Sequence, residues 1–150
     1  MDPENFRMSV IRDVMNKQVV LLRPEDALIT AVEALCKHQV SGAPVVAEGG
    51  DIIGFISEPD LMDVLFDKPS RYMPVSEYMS DVVHAVSPGD SLASAVAMFT
   101  LYNIRRLPVV ENGTLVGIVT RRDLLQYAHK GEDTINDPLV ELIPAIGQYA

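Results

Sequence analysis

Tryptophan is absent from this 150-residue chain, and aromatic residues make up only 6% of it. The core must therefore rest on Val, Ile, Leu, Met and Ala. There is one cysteine, Cys36, so an internal disulfide is impossible. Cys36 falls on the apolar stripe of a predicted helix and reads as a buried structural thiol, not a reactive one. No apolar run approaches the roughly 20 residues that a membrane helix needs. The first residues, Met1 to Phe6, are polar and acidic and lack a signal-peptide pattern, so the expected location is the reducing cytoplasm. Positive charge is scarce: 12 Lys and Arg stand against 21 Asp and Glu, a formal net charge of −9. That field disfavours wholesale binding to nucleic acid or to an anionic membrane. A small anionic ligand stays open, because a local basic cluster outweighs the global field at short range.

Catalytic and metal signatures are missing as well. There is no EF-hand loop, no Walker loop, no Gly-x-Gly-x-x-Gly and no Gly-x-Ser-x-Gly. His38, His84 and His129 show no metal-ligand spacing with each other or with Cys36. No nucleophile has a positioned base. The expectation is a protein with no catalytic residue, no metal and no catalytic cofactor, hence not an enzyme.

What the chain does have is a repeat. Displaced by 64 residues, Met15 falls on Met79, Val19 on Val83, Pro24 on Pro88, Asp26 on Asp90 and Leu28 on Leu92. Pro44-Val45-Val46 lands on Pro108-Val109-Val110. One extra residue near Gly49-Gly50 then shortens the shift, and Gly54 meets Gly117, Ser57 meets Thr120, and Asp60 meets Asp123. With 48% hydrophobic residues, the chain has the composition of a globular protein.

Both copies predict the order β-α-β-β-α. An extended stretch (Val19 to Leu22; Val82 to Val86) leads through Pro into a helix. That helix has its apolar residues at Leu28, Ala31, Val32, Leu35 and Leu92, Ala95, Val96, Phe99. Two strands follow, Pro44 to Ala47 with Ile52 to Ile56, and Pro108 to Val110 with Leu115 to Val119. Asn112-Gly113 between the second pair is a hairpin signal. A last helix runs from Asp60 to Phe66 or from Asp123 to Ala128. The first copy is placed at 8–66, a Pro-containing linker at 67–74, the second copy at 75–128 and a C-terminal tail at 129–150. The tail turns apolar at Leu139, Val140, Leu142, Ile143 and Ile146. Neither copy has enough chain to cover its own sheet, so the two should pack face to face about a pseudo-twofold axis.

The motif Gly-x-x-x-(Ser/Thr)-x-x-Asp occurs twice, as Gly54 to Asp60 and as Gly117 to Asp123. Each is preceded by a Pro-Val-Val strand, within Ser41 to Val46 and Arg105 to Val110. A Ser or Thr three residues before an Asp is a helix capping arrangement in its own right. The same helix start presents donors to anions, and a fixed carboxylate can accept two hydrogen bonds from a ribose diol. This tandem pattern resembles the cystathionine-β-synthase (CBS) motif, and the chain is similar to a stand-alone CBS pair, a Bateman module. The implied fold is α+β (α/β): two β-α-β-β-α motifs packed by pseudo-twofold symmetry.

The resemblance also implies function. Such modules sense adenosine ligands: AMP, ADP or ATP, with S-adenosylmethionine or NAD as others. It implies composite clefts, one with Ser57 and Asp60 facing Tyr102, Ile104, Arg105 and Arg106. The other would have Thr120 and Asp123 facing Val40, Ser41, Gly42 and Ala43. Arg105 and Arg106 suit bidentate phosphate contacts, or else they only solvate a loop. Arg121 or Arg122 would serve the second cleft. A homodimer formed through Leu61, Leu65, Phe66, Leu124 and Leu125 and an unidentified regulated protein are implied as partners. The competing expectation is a dimerising interaction module with empty clefts.

Overall fold

The computed structural model describes residues 2–131. The apolar part of the tail, from Leu139 onward, lies outside them. Each copy builds one small lobe. In the first, α2 (Leu28–His38) precedes an antiparallel hairpin of β1 (Gly42–Val46) and β2 (Ile52–Ser57), and a short α3 (Glu58–Leu61) follows. In the second, α4 (Leu92–Tyr102) precedes β3 (Arg106–Glu111) and β4 (Thr114–Thr120), and α5 (Arg121–Gly131) follows. A further short helix, α1 (Pro3–Met8), opens the chain.

Local chemistry explains these elements. Pro44 and Pro108 sit in β1 and β3, where each lacks only the N–H that the ladder can spare. β1 is buried along its whole length, and Ala43, Val45, Leu107 and Val109 are fully buried. Asn112 and Gly113 both take positive φ, 52° and 82°, as a tight hairpin turn requires. Beside β1, the extended stretch reaches the sheet at a single parallel bridge, Leu22 to Val45, and Val86 to Val109 is its counterpart. The Leu22 N–H donates to the Pro44 carbonyl at 3.0 Å, and the Val46 N–H to the Leu22 carbonyl at 2.8 Å.

The lobes exchange arms. Ile11, near the start of the first copy, is buried in the core of the second lobe, among Leu92, Phe99, Leu107 and Val119. Val75, its repeat equivalent, is buried in the first lobe, among Leu28, Leu35 and Ile56. The exchange is written in hydrogen bonds. Asn16 and Ile118 bond each other through both backbone groups at 2.8 and 2.9 Å, and Ser80 and Phe55 do the same at 2.9 Å each. The arms also satisfy helix starts: Leu28 N–H donates to the Met73 carbonyl, and Leu92 N–H to the Ser9 carbonyl. This accounts for the repeated glycines. A Cβ on Gly54 would run into the Met79 thioether, and one on Gly117 would lie 3.0 Å from the Met15 sulfur. Near the pseudo-axis the hairpins touch edge to edge, with Ile52 N–H on the Gly113 carbonyl and Leu115 N–H on the Gly50 carbonyl.

Three expectations are corrected. The helix expected to run from Asp60 to Phe66 is α only to Leu61 and continues as a 3-10 turn over Met62–Leu65. Its buried residues, Leu61 and Val64, are three apart, a spacing that a 3-10 turn keeps on one side. Cys36 is exposed: it lies one residue beyond Leu35, rotated off the buried stripe of Leu28, Ala31 and Leu35. Leu61 and Leu124 are buried in their own lobes and cannot serve as an outer contact.

Candidate functional site

At the end of β2 the chain turns into α3, and Asp60 caps that turn. Its Oδ2 accepts from the Ser57 N–H at 2.8 Å and from the Ser57 hydroxyl at 3.0 Å. Both bonds fall on one oxygen, Oδ2. In the second lobe the arrangement is reciprocal. Asp123 Oδ2 accepts from the Thr120 N–H at 2.8 Å, and the Asp123 N–H donates to Thr120 Oγ1 at 3.1 Å. Capping is thus real in both copies, and the carboxylates are held in place by it.

Asp60 and Ser57 line a cleft of about 820 Å³. The opposite wall is the other lobe's loop: Asn103, Ile104, Arg105 and Arg106. That loop leaves α4 through Asn103, whose φ of 51° is left-handed, a conformation Asn tolerates. Arg121 fastens it, with Nε donating to the Ile104 carbonyl at 2.8 Å and an NH2 group donating to Asn103 Oδ1 at 3.1 Å. Arg106 is half-buried, and its Nε is shielded from solvent without a hydrogen-bond partner among the described residues. Burial pulls its guanidinium below the ordinary value, and the Asp123 carboxylate partly opposes that. An unpartnered buried donor of this kind costs free energy until an acceptor arrives.

The residues singled out in the sequence do not form two equivalent clefts: Thr120 and Asp123 line neither of the two cavities described here. Ser57, Asp60, Ile104, Arg105 and Arg106 converge on the one cleft. Tyr102 is just outside it, its ring stacked on His84 at 3.9 Å between centroids, and His84 does line the cleft. Ser41 joins this cleft too, although the resemblance puts it in the other one. The hairpin register pairs Gly42 with Ser57, so Ser41 necessarily sits beside its own lobe's cap. Val40 turns instead into an adjoining groove of about 480 Å³ with Val32, Leu35, Cys36 and Leu65, which shares Ser41 and Arg105 with the cleft. Gly42 is packed against Phe55, and Ala43 is in the core. Arg121, expected at a cleft of Asp123, lines the cleft of Asp60 instead, because its guanidinium bonds the Asn103–Ile104 loop of its own lobe. Arg122 is exposed and lines neither cavity.

Sequence reasoning missed the third wall, Ser80, Val82, Val83 and His84. These come from the exchanged arm. Val82 is an apolar residue left 68% exposed where it lines the cleft. Among the described residues no group of three or more His, Cys, Asp or Glu could hold a metal ion. No helix among them is long and apolar enough to cross a membrane.

A family model described as the CBS domain matches residues 11–67 and again 75–130. The CBS domain-containing protein YhcV of Bacillus subtilis is 34% identical over 118 residues, covering 78% of this chain and 84% of that protein. The uncharacterized protein MJ1225 of Methanocaldococcus jannaschii is 31% identical over 116 residues, and the match covers 77% of this chain but only 41% of that longer protein. Among solved structures, CBSX2 in complex with AMP superposes with a TM-score of 0.73 at 25% identity, covering 81% of this chain and 96% of that one.

Proposed function

The chain belongs to the CBS-domain family, and from that premise we propose that it is a regulatory sensor of an adenine nucleotide of the AMP or ATP type, without catalysis of its own. The observation that carries this reading is the composite cleft. A capped carboxylate from one lobe, Asp60, faces a basic loop from the other, Arg105 and Arg106. The carboxylate suits a ribose diol and the guanidinium groups suit a phosphate. Val82, Val83 and Ile104 offer apolar surface to a base. A volume of about 820 Å³ is in the range of small-molecule sites. The AMP complex of CBSX2 supports the ligand class. Calorimetric titration with AMP, ATP, NADH and S-adenosylmethionine tests it: saturable binding of an adenine nucleotide is expected, and no heat with any of the four would sink it.

The phosphate role rests on Arg106. In Arg106→Ala the preference for AMP over adenosine should fall by about tenfold, because charge-assisted bonds are roughly twice as strong as neutral ones. An unchanged preference would leave Arg106 as an ordinary loop cation.

The module is proposed to act as a homodimer. Leu65, Phe66 and Leu125 remain 57%, 91% and 71% exposed, and a twofold pairing would cover them. Sedimentation at micromolar concentration should give a dimer, and Phe66→Asp with Leu125→Asp should give a monomer. A wild-type monomer, with and without AMP, would refute this assembly.

A further inference from the structure

Displaced onto the second copy, Ser57 falls on Thr120 and Glu58 on Arg121. The residue after the capping hydroxyl is thus an anion in the first copy and a cation in the second. Both line the cleft of Asp60, and they are held differently. Arg121 is committed to its own lobe, bonding the Ile104 carbonyl and Asn103 Oδ1. Glu58 is fixed through its backbone, whose N–H donates to the Ser41 carbonyl at 3.0 Å. Among the described residues its carboxylate has no ion-pair partner. We infer that Glu58 sets ligand choice in this cleft, admitting a nucleoside monophosphate and turning away the di- and triphosphate. This rests on the reading of the Asp60 cleft as a nucleotide site and narrows it.

Ser41, Glu58, Met62 and Arg105 line both the cleft and the adjoining groove. Glu58 and Arg105 therefore stand at the same end of the cleft, where the two cavities meet. A single phosphate needs only Arg106, the half-buried cation whose Nε has no partner among the described residues. Further phosphates reach for the next cation, Arg105, and there they enter the field of Glu58. Beyond that point the groove is lined by Val32, Leu35, Val40, Leu61 and Leu65, which offer an anion neither charge nor donor. With Arg121 committed, two cations, Arg105 and Arg106, face one uncompensated carboxylate at this end. A monophosphate, with about two negative charges at neutral pH, suits that balance, and each added phosphate exceeds it. Placing a like charge where only the unwanted ligand reaches is a general route to selectivity. Glu58 is exposed, so water and salt moderate its effect to about fivefold in affinity, the size of an exposed charge interaction.

The test is calorimetric titration of AMP, ADP and ATP, in the presence of a chelator, into wild type, Glu58→Gln and Glu58→Arg. Wild type should bind AMP more tightly than ATP. Glu58→Gln should tighten ATP by about fivefold relative to AMP, with ADP between, and Glu58→Arg should tighten it further. The gain should shrink as salt is raised. Glu111→Gln, at the far end of β3 and lining neither cavity, changes the net charge as Glu58→Gln does and should leave the ratio alone. That control separates a local carboxylate from the acidity of the whole chain. A wild type that prefers ATP overturns the inference. So does an unchanged ratio of ATP to AMP affinity in both Glu58 variants while AMP still binds, or an equal gain in Glu111→Gln. Added Mg²⁺ that tightens ATP in the wild type but not in Glu58→Gln also overturns it, because Glu58 would then recruit a cation for the phosphates. If none of the three nucleotides binds the wild type, the nucleotide reading itself falls and takes this inference with it.

Discussion

Replacing Ile11 by alanine should cost about 2–5 kcal/mol of stability, the usual range for truncating a fully buried Ile, and the loss should be felt in the lobe to which Ile11 does not belong by sequence. Ile11 is 0% exposed and is enclosed by Val86, Leu92, Phe99, Leu107 and Leu124, all from the second copy. Its backbone N–H donates to the Asp90 carbonyl at 2.9 Å, a bond the substitution keeps, so the change isolates the side chain. A domain of this size is stable by only about 5–15 kcal/mol, so the loss is a large share. Urea unfolding gives the magnitude, and native-state hydrogen exchange gives the location. Protection should fall first at Val109 and Val119, in β3 and β4, and less at Val45 and Ile56 in β1 and β2. Earlier loss in β1 and β2 would mean that the first arm serves its own lobe and that the exchange is wrong.

This exchange marks the boundary of what could be read from residues. Strand identity was legible because short apolar runs and the Asn112-Gly113 turn are local signals, and β3 and β4 formed around them. Helix identity was legible because Leu28, Ala31 and Leu35, like Leu92, Ala95 and Phe99, recur at helical spacing and are buried. Which sheet an extended arm joins is a different kind of question. The two lobes present nearly the same edge, Phe55 in one and Ile118 in the other, to Ser80 and Asn16. Hydrophobic pattern cannot choose between equivalent edges; the path of the chain in space does. The glycines held the clue in retrospect, since Gly54 and Gly117 are the floor on which Met79 and Met15 of the exchanged arms rest.

The site divides along the same line. Ser57, Asp60, Arg105 and Arg106 were legible because a cap and a basic loop are written in short motifs, and the structure brings all four to one cleft. Ser80, Val82, Val83 and His84 were not, because they reach that cleft only through the arm. Ser41 and Arg121 went to the wrong cleft for a simpler reason. Each sits within its own hairpin's reach, Ser41 beside Gly42 paired with Ser57, and Arg121 over Ile104.

Asp60→Ala should weaken adenine-nucleotide binding by about 1–3 kcal/mol, the range for removing a charged hydrogen-bond acceptor from its partners. That corresponds to roughly 5- to 150-fold in Kd. The side chain does two jobs, and the design of the experiment must separate them. As a cap it accepts from the Ser57 N–H and hydroxyl, and losing a cap costs about 1 kcal/mol of stability. As a ligand anchor it would accept from the ribose through Oδ1. Asp60→Asn keeps an oxygen for the Ser57 N–H and so preserves the cap, but it removes the charge. Thermal unfolding should therefore rank wild type and Asn close together with Ala below them. Affinity should rank wild type well above both. Deoxyadenosine monophosphate lacks the 2′-hydroxyl and should lose much of its affinity in the wild type but little further in Asp60→Ala, since the partner is already gone. A double-mutant cycle between the substitution and the missing hydroxyl thus reads the contact directly. If the two losses simply add, or if Asp60→Ala binds AMP as the wild type does, the carboxylate is a cap alone and the ribose lies elsewhere.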